Sequence, residues 1–156
     1  MLTNEIDRCP CGSGETYNDC CGSFISYSRY PEKPKQLMRS RYSAYILKNE
    51  DYLLKSWHES TRPESLDLKA DSTQWKKLKI ISASESKVIF VAFFTQDTLN
   101  NEKKYALTES SNFVKDDHWQ YIDGDEVKTI QLTKNMSCPC QSGKKYKRCC
   151  EVDLNN

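Results

Sequence analysis

Between Leu37 and Lys48 apolar positions recur with a helical period, Met38, Tyr42, Tyr45 and Ile46 falling at i, i+4, i+7 and i+8. Pro31 and Pro34 mark the linker before this helix, and a second, shorter helix is expected over Asp51–Trp57, with Pro63 closing the loop that follows. Beyond that point the period changes to two. Strands are predicted over Lys76–Ser84, Lys87–Gln96, Lys103–Lys115 and His118–Asp123, separated by stretches rich in Ser, Asp and Asn. In the second strand Val88, Phe90, Ala92 and Phe94 share one face and Ile89, Val91 and Phe93 the other, so both faces are covered and the strand is central. In the third, Tyr105, Leu107, Glu109, Ser111 and Phe113 share a face, which sets a carboxylate among apolar neighbours. Helices followed by a curved antiparallel sheet predict an α+β fold with the helices on one sheet face.

The two ends of the chain carry a repeat that this periodicity does not explain. Cys9-Pro10-Cys11-Gly12-Ser13-Gly14-Glu15-Thr16-Tyr17-Asn18-Asp19-Cys20-Cys21 aligns with Cys138-Pro139-Cys140-Gln141-Ser142-Gly143-Lys144-Lys145-Tyr146-Lys147-Arg148-Cys149-Cys150 as C-P-C-x-S-G-x-x-Y-x-x-C-C. All eight cysteines fall in the two copies. Four thiolates on a short loop suit a tetrahedral zinc ion, and four sulfurs leave no coordination position for water, so each site reads as structural. A glycine after the first cysteine pair takes a positive φ and lets the loop turn tightly, and the tyrosine is expected to pack over the site. Units this small bury little apolar surface, so metal binding, on the order of 10–16 kcal/mol in zinc modules, is expected to order each end. The C-x-C and Cys-Cys spacings differ from the C-x-x-C of thiol-disulfide enzymes.

Overall charge narrows the partners only a little. The 23 basic and 22 acidic residues leave a net charge of +1, which argues against a binder of nucleic acid or membranes driven by total charge. Locally the picture differs, because Lys144, Lys145, Lys147 and Arg148 make the second repeat basic while Glu15 and Asp19 make the first acidic. Four clustered cations suit an acidic protein surface or the phosphates of ribosomal RNA. The longest apolar run, Val88–Phe94, is far shorter than the roughly 20 residues that cross a bilayer. The segment before Cys9 has neither a basic start nor an apolar stretch of signal-peptide length. The chain is therefore expected in the cytoplasm, where cysteines favour metal over disulfides.

The repeats resemble the SEC-C motif, C-x-C-x8-C-(C/H), which in that family binds zinc and helps dock partners. Met38-Arg39-Ser40-Arg41-Tyr42-Ser43-Ala44-Tyr45, Trp57-His58-Glu59-Ser60-Thr61-Arg62-Pro63 and Trp119-Gln120-Tyr121-Ile122-Asp123-Gly124 resemble the bacterial YchJ-like family. That resemblance implies an NTF2-like, cone-shaped middle domain flanked by SEC-C knuckles. The expected division is 1–24 for the first knuckle, 25–134 for the α+β domain and 135–156 for the second knuckle, with two structural zinc ions and a homodimer left open.

Within the cone, Arg41, His58 and Glu109, with Arg39 or Arg62, are candidates for binding a small anion or moving a proton. Alternatively Arg41 and Glu109 form a buried ion pair that sets the helix-to-sheet register. His58-Glu59 begins like a zinc-protease helix, but Arg62 stands where the second histidine would be. One carboxylate on an apolar face does not establish catalysis, and the residues favour a binding protein over an enzyme.

Overall fold

A computed structural model describes residues 8–99 and 101–154; the segment before Arg8, read above for targeting signals, lies outside the described residues. Among the described residues four α-helices, a 3-10 turn at Tyr146–Arg148 and one four-stranded antiparallel sheet make up the fold: α1 (Cys21–Ile25), α2 (Pro34–Ile46), α3 (Glu50–Lys55), β1 (Gln74–Ala83), β2 (Lys87–Thr98), β3 (Asn101–Lys115), β4 (Trp119–Gln131) and α4 (Cys150–Leu154). The strands lie in the order β1-β2-β3-β4, a meander in which each strand pairs with its sequence neighbour. The α+β reading of the sequence is borne out.

Local chemistry starts each helix. Pro34 occupies the first turn of α2, where its missing N–H costs nothing, and the Gln36 side chain accepts from the Lys33 amide at 3.1 Å. Asn49 caps α3 by accepting from the Tyr52 amide at 3.0 Å. Leu37, Met38, Ser40, Arg41, Tyr42, Ser43 and Ala44 of α2 are all buried. The apolar stripe foreseen for this helix is thus only part of its buried surface, because α1 and α3 cover flanks that the pattern left polar. Ser40 meets this burial by sharing a hydrogen bond with the Tyr52 hydroxyl at 2.6 Å.

β2 is central and covered on both faces, and each face has its own core. Val88, Phe90 and Ala92 pack beneath α2 with Leu78 and Phe113, in a cluster that continues through Leu37, Leu53 and Phe24 to all four cysteines of the first repeat. Val91 and Phe93, on the other face, pack with Ala106, Leu132, Tyr146 and three cysteines of the second. The two ends of the chain therefore cover opposite faces of one sheet.

β4 runs eight residues further than expected from the pattern, to Gln131 rather than Asp123. Gly124-Asp125-Glu126 reads as a turn, yet Glu126 takes φ 51° within the strand and the register slips opposite Thr108 and Ser110. Such a bulge on a polar edge strand hides the alternation and blunts the edge against further pairing.

Candidate metal centres and an adjoining cavity

The two cysteine sets are built by the same hydrogen bonds. In the first, the Cys9 amide donates to the Glu15 carbonyl (2.8 Å) and the Gly12 amide to the Cys9 carbonyl (3.1 Å). In the second, Cys138 donates to Lys144 (2.8 Å) and Gln141 to Cys138 (3.1 Å). Ser13 Oγ lies 3.3 Å from Cys20 Sγ, and Ser142 Oγ 3.2 Å from Cys149 Sγ. Gly12 takes φ 79°, and Gln141 keeps the same left-handed turn at φ 66° although it carries a side chain. The loop geometry thus survives the loss of glycine in the second copy.

Within each set the four sulfurs lie within 4.8 Å of one another. Cys11 and Cys20 are 3.7 Å apart, Cys20 and Cys21 3.9 Å, and Cys140 and Cys149 3.5 Å. A tetrahedral tetrathiolate with metal–sulfur bonds of about 2.3 Å spaces its sulfurs about 3.8 Å apart, so both donor sets fit one metal ion each. A hydrogen bond from Cys21 draws the Cys11 thiol down to about 4, while burial pushes Cys20 up to about 11. Burial also works against ionisation of Cys140, but hydrogen bonds from Ser142, Cys138 and Cys149 outweigh it and bring that thiol to about 6. A bound cation would favour the thiolate at all four positions.

The centres differ in what they brace. Arg39 of α2 donates to the Cys11 carbonyl at 2.7 Å, and Ser43 Oγ lies 3.8 Å from Cys9 Sγ, so the first site is fixed to the helix that roofs the sheet. The second is fixed to the sheet itself. Tyr146 is 1% exposed and stacks on Phe93 at 6.3 Å between centroids and 14° between planes, and Lys77 of β1 reaches Cys150 Sγ at 3.9 Å and pairs with Asp153 of α4. The tyrosine thus packs between knuckle and sheet. Around it Lys144, Lys145, Lys147 and Arg148 are exposed, and none of them forms an ion pair among the described residues.

Beneath α2 lies a cavity of about 210 Å³, bounded by Arg41, Tyr45, Trp57, Trp75, Glu109 and Tyr121. Arg41 and Glu109 are brought together there, but not as an ion pair. Arg41 is 3% exposed; its Nη1 donates to the Leu53 carbonyl (2.8 Å) and Ser56 Oγ (2.7 Å), and its guanidinium sits 4.5 Å from the Tyr121 ring centroid and 5.0 Å from that of Trp57. Desolvation lowers its proton affinity, and the neighbouring Tyr45 and Tyr121 act against that shift. Glu109 Oε1 accepts from the Tyr121 hydroxyl at 3.0 Å and from Ser111 Oγ at 2.9 Å. A side chain at Gly124 would collide with this carboxylate, so the glycine in β4 makes room for it.

His58 does not join them. The stretch after α3 pairs with β4 through Ser56, Tyr121 and the His58 amide, so neighbouring side chains point to opposite sides. Trp57 takes the cavity side; His58 turns away to Ser60 Oγ at 2.7 Å and Asp116 Oδ2 at 3.3 Å. Arg39 is spent on the first metal loop, and Arg62 donates twice to the Trp57 carbonyl (2.9 and 2.7 Å). Trp75 and Tyr121 finish the cavity without being marked by the pattern: Trp75 lies just outside the strand it predicts, and Tyr121 lies in a strand whose length it conceals.

A helix-roofed antiparallel sheet with a tetrathiolate centre on each face defines an NTF2-like domain carrying two SEC-C knuckles. The family model for the YchJ middle NTF2-like domain matches residues 33–124, and the SEC-C motif matches residues 7–23 and 135–151. The UPF0225 protein plu2503 of Photorhabdus laumondii is 40% identical over 159 residues, covering 92% of this chain and 98% of that protein. The UPF0225 protein PC1_1977 of Pectobacterium carotovorum is 38% identical, covering 92% and 97%. The chain belongs to the YchJ family. Among solved structures, a SEC-C motif containing protein from Rhodopseudomonas palustris is 29% identical with a TM-score of 0.61, covering 77% of this chain and 98% of that one. Another from Psychrobacter arcticus is 26% identical with a TM-score of 0.56, covering 92% and 95%.

Proposed function

We propose that the chain is a cytoplasmic adaptor that holds two structural zinc ions and docks a negatively charged macromolecular surface through its C-terminal knuckle. The observation that carries this reading is the cluster of Lys144, Lys145, Lys147 and Arg148, exposed and without ion pairs among the described residues. They stand on a loop locked from within by Tyr146 and Cys150. Cations on a loop stiffened by metal lose little conformational freedom on binding, which favours recognition over mere solvation. Zinc is the ion assigned because four thiolates at tetrahedral spacing select a borderline-soft, four-coordinate metal. Among the described residues no helix is long and apolar enough to cross a membrane, which is compatible with this placement.

Replacing the four cations with alanine tests the docking surface. With a generic RNA duplex as the probe, the slope of log K against log salt should become shallower by up to about 3.6 in the variant, since each of the four lost phosphate contacts contributes about 0.9. An acidic polypeptide run in parallel identifies a protein partner by the same loss of salt sensitivity. Unchanged slopes for both probes, with the knuckle still metal-loaded, would contradict the proposal.

A further inference from the structure

The cavity under α2 carries two charges that the fold leaves incompletely answered. Arg41 is almost wholly buried, yet no carboxylate lies within ion-pair distance of it among the described residues; around it stand the Leu53 carbonyl, the Ser56 and Tyr45 hydroxyls and two aromatic faces. Taking such a charge out of water costs several kcal/mol unless it is paired, and cation–π contacts return only about 2 kcal/mol when desolvated. At the Tyr121 hydroxyl, Glu109 accepts both of its hydrogen bonds on Oε1, and Oε2 accepts none among the described residues. The rest of the wall is mostly apolar and aromatic, and Tyr45, Trp57, Trp75, Glu109 and Tyr121 are each partly exposed, so the space is not sealed from solvent.

We infer that this cavity binds a small zwitterion with an aromatic body, its anionic group against Arg41, its ammonium against Glu109 and its ring among Tyr45, Trp57 and Trp75. The choice follows from elimination on charge. A simple anion gains at Arg41 and is repelled at Glu109; a simple cation meets the reverse; a hydrocarbon leaves both charges where they are. A molecule carrying both signs answers both. Size agrees, because a cavity of about 150 Å³ takes up benzene, and the roughly 210 Å³ here admits a phenyl ring with a few further atoms. The site is independent of the docking knuckle, which lies on the other face of the sheet.

Three compounds of one shape test it on the full-length, metal-loaded chain: L-phenylalanine, 3-phenylpropanoate, which lacks the ammonium, and 2-phenylethylamine, which lacks the carboxylate. Titration followed by tryptophan fluorescence should show saturable binding of L-phenylalanine, with each truncated compound weaker by about 10- to 100-fold, the worth of one charged hydrogen bond. Glu109→Gln keeps the shape of the side chain and removes its charge. In that variant L-phenylalanine should lose affinity while 3-phenylpropanoate gains it, an inversion that general loosening of the fold would not produce. Arg41→Gln, where it folds, should abolish binding of both carboxylates. Absence of saturable L-phenylalanine binding up to about 10 mM, equal affinity for the three compounds, or a uniform loss across all three in Glu109→Gln would overturn the inference.

Discussion

Replacing Cys11 with serine should lower the melting temperature of the metal-loaded chain by about 10–15 °C, the equivalent of roughly 4 kcal/mol in a chain of this size. Cys11 is 0% exposed and belongs to the same core as Leu37, Leu53 and Phe90, so losing the metal there removes the anchor of α2 and not merely an end of the chain. Arg39 then has no fixed Cys11 carbonyl to bond, and Cys9 Sγ beside Ser43 is no longer held by a complete ligand set. Because α2 roofs the cavity, the near-ultraviolet signal of Trp57 and Trp75 should weaken together with stability. Cys140→Ser makes the control: it opens the opposite face, which neither of these two tryptophans lines. Equal loss of the tryptophan signal in both variants would show that the two centres do not brace separate faces.

The second large effect is expected at Tyr146. Its ring fills the space between the C-terminal knuckle and Phe93, and truncation to alanine leaves a cavity there, at a cost of about 3–5 kcal/mol by analogy with other buried aromatics. The hydroxyl behaves differently, since it is buried with no hydrogen-bond partner among the described residues. Removing a buried polar atom that has no partner relieves its desolvation, so Tyr146→Phe should be neutral or slightly stabilising. Denaturant unfolding of the two variants measures both changes, and a Tyr146→Phe loss as large as that of Tyr146→Ala would mean that the hydroxyl and not the ring carries the packing.

How far the sequence reveals this arrangement depends on the kind of signal. The cysteine repeat could be read in full because metal ligation restricts residue type and spacing at every position, and the loop bonds of Cys9 and Cys138 repeat as the letters do. Val88 to Phe94 also announced a strand covered on both faces, since alternation leaves no polar side. Helices over one face were expected; that the second knuckle covers the other was not legible. Ser40 and Ser43 look like the solvent side of an amphipathic helix, and only tertiary packing by α3 and the first knuckle buries them. His58 and Arg41 seemed equally able to reach a pocket; the one-residue alternation beside β4 separates Trp57 from His58, and that depends on a strand pairing distant in sequence. Glu109 was placed on the correct face by period alone, with Ser111 two residues along the same strand, but its partner Tyr121, rather than Arg41, follows from the bulged register of β4.

The metal content of the full chain, purified without added metal and measured by elemental analysis, bears on all of this most directly. Two zinc ions per chain are expected, falling to one in Cys11→Ser and to one in Cys140→Ser, with the remaining ion in each case held by the intact knuckle. Little or no zinc in the unaltered chain, or loss of both ions on changing a single cysteine, would contradict two independent structural zinc centres on opposite faces of the sheet.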